Sequence, residues 1–460
     1  MMGDPRMITS INPHRSSEVL GEFKETGEEG VGEAVTRARK ALSQWRKQSA
    51  AVRGGALNQI ASDLEGRSGE LADLIVREVG KPITEARGEV GRTVSILRYY
   101  AQMVLAPDGD TYPANQAGDW LIARRYPVGV CALLTPWNFP AAIPFWKAAP
   151  ALGYGNTVIL KPAPEATAVA ETIAEIANKR LPEGVLQVVP GDAETGEPLV
   201  DHPGVDAVSF TGSTKVGRSV AQRVVGRGAK VQCEMGGQNP SLVLAGADLD
   251  HAAATIAGAA MGYAGQKCTA TSRVIVEDSV YDEFRERLVA AVEALEVEGP
   301  ENESCQVGPV ISYEARDHAL QAVQNSSGRM LTGAESLDGD GFYLSPTLVE
   351  LDDAASPLAK EEVFAPVSAL LRASTAEEAL NLANDVPYGL AAAVFTNDLD
   401  KAMKVADRLE AGLIKVNAST AGVDYHAPFG GSKQSAIGPK EQGLAARDFF
   451  TESRTLLISS

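Results

Sequence analysis

The 460 residues are 44% hydrophobic and 22% charged, the make-up of a globular protein with a substantial core and, at roughly 100 to 200 residues per domain, two or three domains. Sixty Asp and Glu against 42 Lys and Arg give a formal charge of -18, a sign that repels phosphate backbones and anionic lipid surfaces and argues against nucleic acid and membrane partners. The first twenty residues include Asp4 and Glu18 and no apolar run of export-signal length, the weakly polar run 252–264 is too short for a bilayer span, and Cys131, Cys233, Cys268 and Cys305 form no C-x-x-C pair, so the expectation is a cytoplasmic protein in a reducing compartment without a bound metal.

From residue 29 to about 105, apolar residues recur at three- and four-residue steps, as in Val31, Ala34, Val35, Ala38, Leu42 and then Leu57, Ile60, Leu64. That period predicts a long helical lead-in. From 128 onward the short β-rich runs VGVCALL, TVILK, VLQVV, DAVSF, KVQCE and SLVLA alternate with helical stretches over 167–179 and 216–225. Such alternation predicts a parallel, doubly wound α/β sheet. A second α/β block starts near Gly236 and takes in 252–264 as a packed helix, SRVIVED, a helix over 280–295, AAAVFT and GLIKVN. Two pieces fit neither block: 111–127, which contains WLIARRYPV, and the tail 452–458. Both read as strands in need of a partner, because an uncovered edge invites pairing.

Five segments hold residues suited to chemistry. The glycine pattern G-x-G-x-x-G is absent, but FTGSTKVG (210–217) ends a β-run and opens a helix, so free N–H groups there can face a phosphate. Taken alone it reads more readily as an ordinary capped turn. In GQKCTATSR, Cys268 follows a glycine-containing turn and neighbours Lys267; a nearby cation lowers a thiol pKa, whereas a lone cysteine is more often a buried apolar residue. EMGGQNP places Glu234 at the end of a β-run as a base or a turn residue, TPWNFP offers Asn138 as an oxyanion donor, and EEVFAPV brings Glu362 and Phe364.

In their order along the chain, TPWNFP, LKPAP, FTGSTKVG, EMGGQNP, GQKC and EEVFAPV resemble the aldehyde dehydrogenase superfamily over essentially the whole chain. The resemblance implies an α/β fold with a Rossmann-like coenzyme domain (1–110 and 128–235), an α/β catalytic domain (236–435) and a small β oligomerisation element (111–127 and 436–460). It also implies a homodimer or homotetramer acting on a small-molecule aldehyde. By the same resemblance Cys268 attacks the aldehyde, and the thiohemiacetal becomes a thioester. Asn138 and the Cys268 N–H hold the oxyanion, Glu234 activates the hydrolytic water, and Lys147 lies near the site. Coenzyme contacts implied are Thr135, Pro136 and Trp137 at a strand end, Lys161 and Pro164 by the adenosine ribose, Gly212, Ser213 and Gly217 at the pyrophosphate, Glu362 on the nicotinamide ribose, and Phe364 by the nicotinamide.

This chain departs from the family pattern at Ala365, where glycine is commoner, and at Pro164, where NAD-preferring members commonly carry Glu. Without that carboxylate a 2'-phosphate is not repelled, which favours NADP with NAD also usable, although Glu165 lies next to the position. Substrate-pocket residues implied are Phe139, Ile143, Trp146, Lys267 and Thr269, with the loop 419–426 that ends in His426. GQKCTATSR, AGVDYHAPFGG and GPKEQG look most like the α-ketoglutarate semialdehyde (2,5-dioxopentanoate) dehydrogenases. Lys267 is the obvious cation for such a substrate or merely tunes the thiol, and the aromatic lining equally suits aromatic or aliphatic aldehydes. A silent binding protein on the same fold is disfavoured because Cys268, Glu234 and Asn138 are all intact. A cysteine hydrolase lacks a histidine within the motif cluster.

Overall fold

The computed structural model describes residues 6–337 and 339–459. A hairpin of Met7–Asn12 and Arg15–Lys24 precedes four helices, α1 (Glu28–Trp45), α2 (Ala50–Gly66), α3 (Ser68–Val79) and α4 (Ile83–Met103). The periodic residues Val31, Ala34, Val35, Ala38 and Leu42 form the buried stripe of α1, and Leu57, Ile60 and Leu64 that of α2. Ser49 caps α2 by accepting from the Val52 N–H, satisfying one of the donors a helix start leaves free.

The first sheet runs Ala436–Ile437, Lys230–Glu234, Ala207–Thr211, Val130–Thr135, Thr157–Pro162, Leu186–Val188. All neighbours are parallel except the short edge strand, which lies antiparallel to Lys230–Glu234. Val130–Thr135, Thr157–Pro162 and Ala207–Thr211 are buried along their whole length, as strands covered by helices on both faces must be. Strand order reverses between Val130–Thr135 and Ala207–Thr211, and the carboxyl ends at such a switch leave a crevice.

The second sheet has seven strands, in the order Arg329–Thr332, Thr347–Leu351, Val367–Ala373, Thr271–Glu277, Asn239–Val243, Ala391–Phe395, Leu413–Val416. Only Arg329–Thr332 pairs antiparallel. Residues 235–238 alone separate the end of Lys230–Glu234 from the start of Asn239–Val243. The carboxyl ends of the first sheet therefore meet the amino ends of the second, and the crevice lies between them.

The two unassigned segments pair with each other. Thr451–Ile458 lies antiparallel to Trp120–Pro127 over all eight residues, and Gly109–Tyr112 completes a three-stranded sheet on the other side. Of the C-terminal stretch, Ala436–Ile437 joins the first sheet and the helix Gly443–Phe450 packs on α5 (Ala142–Gly153). The run 252–264 is shorter as a helix than its composition suggests. Leu249–Met261 is helical, and then Tyr263 and Ala264 adopt left-handed φ of 54° and 50°. No helix among the described residues is long and apolar enough to cross a membrane, and no group of three or more His, Cys, Asp or Glu among them could hold a metal ion.

Candidate active site

The crevice holds a cavity of about 280 Å³. The first sheet supplies Pro136, Trp137 and Asn138 from the end of one strand, Gly212 and Ser213 from the next, and Glu234 from a third. Cys268 enters from the turn before Thr271–Glu277, Glu362 and Phe364 from the loop before Val367–Ala373, and Ile143 and Trp146 from α5. Residues some 200 positions apart thus share one wall-to-wall space. Thr211, Met235, Gly236, Leu390 and Phe429 complete the lining without having been singled out from the sequence.

The turn carrying Cys268 is held under strain. Left-handed conformations at Tyr263 and Ala264 cost of the order of 1–3 kcal/mol each and persist where the surroundings enforce them. Here both are fully buried, and at Gly265 a Cβ would come within 2.1 Å of the Ala365 carbonyl oxygen. The buried Gln266 side chain fixes the next residue by accepting from the Ile311 N–H at 2.8 Å. Asn239 Nδ2 then donates to the Cys268 carbonyl at 2.8 Å. Asn138, itself buried, donates from Nδ2 to the Gln266 carbonyl at 2.9 Å, which ties the TPWNFP loop to the cysteine turn and leaves the second Nδ2 hydrogen for the cavity.

Electrostatically the site is a set of carboxyls around a thiol. Burial, and then the neighbouring Glu362, Glu234 and Glu441, push the Cys268 thiol up to about 12, opposed by its own main-chain N–H. Glu234 is held well above the usual carboxylate range by burial and by Glu441, against the pull of the Gly431 N–H, which it accepts at 3.0 Å. Its other oxygen, Oε1, has no partner. Burial raises Glu362 to about 7, and its Oε1 accepts from the Gly237 N–H at 3.1 Å.

Other residues singled out from the sequence lie outside the cavity. Lys147 is buried behind it, donating to Ser209 Oγ at 2.8 Å and paired with Glu441. Lys161 is buried at the end of Thr157–Pro162, bonded to the Pro162 carbonyl at 2.7 Å and to that of Gly191, and burial lowers it to about 8. Pro164 opens the short turn Pro164–Ala166, Thr135 is buried at its strand end, and Gly217 sits where a Cβ would strike Met235. Lys267 turns away, its Nζ bound to Glu85 at 2.8 Å. Phe139 stacks under the Lys81 ammonium at 3.7 Å, Thr269 is buried in the turn, and His426 is exposed beside Tyr425. Glu441 is the residue that sequence reasoning missed. The signal was Lys147 itself, a lysine in α5, every residue of which is buried, where a charge requires a buried partner.

The cavity also suits a nicotinamide coenzyme. The helix Thr214–Gly226 points its amino end there, with no side chain capping it, and Thr211 Oγ1 is buried without a partner. At Gly236 a Cβ would sit 2.0 Å from Glu362 Oε2, so that only glycine leaves both the carboxylate and the space beside it.

Residues 1–456 match the family model described as the aldehyde dehydrogenase family. The chain belongs to the aldehyde dehydrogenase family. It is 41% identical to the alpha-ketoglutaric semialdehyde dehydrogenase of Bacillus subtilis (strain 168), over 98% of this chain and 94% of that protein. It is 39% identical to the alpha-ketoglutarate semialdehyde dehydrogenase of Haloferax volcanii, over 97% of this chain and 95% of the other. Among solved structures, betaine aldehyde dehydrogenase from Staphylococcus aureus in complex with NAD+ superposes with a TM-score of 0.96 at 29% identity, covering 99% of this chain and 92% of that one. This aldehyde dehydrogenase has the family's α/β fold.

Proposed function

We propose that the enzyme oxidises 2,5-dioxopentanoate to 2-oxoglutarate through a thioester on Cys268. The observation that carries the reading is that Cys268, Asn138, Glu234 and Glu362 line one cavity. Sulfur attack on the aldehyde carbon forms a C–S bond and an oxyanion, which Asn138 Nδ2 and the Cys268 N–H stabilise. The thiol's high resting pKa calls for a proton acceptor, and the unpartnered Oε1 of Glu234 provides one. Gly212, Ser213 and Gly236 leave room for a coenzyme, and Glu362 would accept from its ribose hydroxyls; a bound nicotinamide would supply the two-electron acceptor for the oxidation. The proton taken from the thiol passes to solvent; Glu234, ionised again, then draws a proton from water, which attacks the thioester, and C–S cleavage with that proton passing to sulfur returns the thiol and the free acid. The raised pKa of Glu234 makes its ionised form a stronger base than an exposed carboxylate. Absorbance at 340 nm across an aldehyde panel should show the highest kcat/KM for 2,5-dioxopentanoate; a clear preference for benzaldehyde or hexanal would overturn the substrate assignment.

The coenzyme reading favours NADP, supported by Pro164 and the nearby Lys161 ammonium. Pro164→Glu should raise the KM for NADP roughly tenfold, the effect of like charge at a partly exposed position, and leave that for NAD unchanged or lower. Pro164→Gln separates charge from loop geometry, and equal changes in both variants would contradict the reading.

Self-association through the three-stranded sheet completes the proposal. Trp120, Tyr112, Leu456, Leu457 and Ile458 are exposed there, and large exposed apolar groups on a strand edge favour a covering partner. Deleting residues 452–460 should lower the sedimentation coefficient to that of smaller species and lower Tm. An unchanged oligomer would contradict it.

A further inference from the structure

The proposed substrate ends in a carboxylate, and the cation expected to meet it, Lys267, is held by Glu85. The other buried lysines near the site are also engaged. Lys147 is paired with Glu441, and Lys81 is paired with Glu89 and stacked on Phe139 and Tyr263. A guanidinium lies on the helix that carries Glu85 and Glu89. Arg92 on α4 is half-buried, donates from Nη1 to the Val423 carbonyl at 2.7 Å, and forms no ion pair with a carboxylate among the described residues. Four of its five N–H donors are left over.

Its placement follows from the helix period. Positions 85, 89 and 92 are spaced i, i+4, i+7 and share one face of α4. Glu85 reaches Lys267, next to the nucleophile. Glu89 Oε1 accepts from the Ala141 and Ala142 N–H groups at 2.9 and 3.0 Å, directly behind the loop that carries Asn138. Arg92 then reaches Val423 in the loop 419–426. This face of α4 therefore runs from the cysteine turn, past the loop that carries Asn138, to the loop 419–426, and α4 packs along α5, which brings Ile143 and Trp146 into the cavity.

We infer that Arg92 is the specificity-determining residue, binding the distal carboxylate of the substrate while it pins the loop 419–426 through Val423. The inference rests on the carboxylated-substrate reading above. A planar guanidinium offers a carboxylate two parallel, charge-assisted hydrogen bonds, which an aliphatic aldehyde cannot use.

The test compares 2,5-dioxopentanoate with pentanal at saturating coenzyme. In Arg92→Met, kcat/KM for the carboxylated aldehyde should fall roughly 10- to 100-fold, mostly through KM, the loss expected for a hydrogen bond to a charged group. Pentanal turnover should fall much less, only as far as losing the Val423 contact disturbs the loop. Arg92→Gln, which keeps a donor for the Val423 carbonyl, should show the same selective loss, and Arg92→Lys should recover part of it. Equal losses on both aldehydes would mean that Arg92 only supports the loop, and that result, or no loss at all, would overturn the inference. Wild-type enzyme that does not prefer the carboxylated aldehyde would instead overturn the substrate reading itself, so the two failures are distinguishable.

Discussion

Cys268→Ala should abolish aldehyde oxidation and leave coenzyme binding in place. The side chain is half-buried and small, and the turn that presents it is fixed by Gln266, Asn239 and the left-handed Tyr263–Ala264 pair rather than by the sulfur. The variant therefore keeps its fold and loses only the atom that bonds to the aldehyde carbon. Without a covalent step no tetrahedral intermediate forms, and kcat/KM should fall by roughly a thousandfold or more. Coenzyme binding, followed by the fluorescence of Trp137, which lies edge-on to Phe364 at 5.7 Å between ring centres, should be retained. Appreciable turnover in this variant would show that another group attacks.

Glu234→Gln separates the two halves of the reaction. Glutamine has the shape of the protonated carboxyl, which burial favours at this position, and its carbonyl can still accept from the Gly431 N–H. The substitution thus leaves no unpaired charge in the interior, and the protein should fold normally. It cannot accept a proton from water. A burst of reduced coenzyme stoichiometric with active sites should be followed by turnover slowed roughly 100- to 10,000-fold, the range for loss of a general base. A normal steady-state rate without a burst would remove Glu234 from that role.

What the sequence made legible was local. The helical lead-in, the alternating strands and the strand-end motifs each depend on a few adjacent residues, and fourteen of the sixteen lining residues, all but Leu390 and Phe429, come from those motifs or from α5. The hidden part was long-range. Lys147 meets Glu441 across 294 positions and Lys267 meets Glu85 across 182, and no local pattern records either pairing. Lys267 read either as a substrate cation or as a lysine that turns away and tunes the thiol, and in the fold its charge is met by Glu85 on α4. The segments 111–127 and 452–458 were recognisable as strands by composition, but their mutual register emerges only in the folded chain. The helix expected over 252–264 stops at Met261 because tertiary packing forces Tyr263 and Ala264 into left-handed backbone, a case in which context overrides helix-favouring composition.

The central claim is a thioester on Cys268 whose hydrolysis needs Glu234. It is tested most directly by mixing Glu234→Gln with 2,5-dioxopentanoate and NADP+, quenching in acid after the burst, and mapping the digested protein by mass spectrometry. The account predicts the oxidised acyl group on the peptide carrying Cys268, in an amount equal to the reduced coenzyme formed. Unmodified Cys268 after a full burst, or an acyl group on Cys131, Cys233 or Cys305 instead, would contradict it.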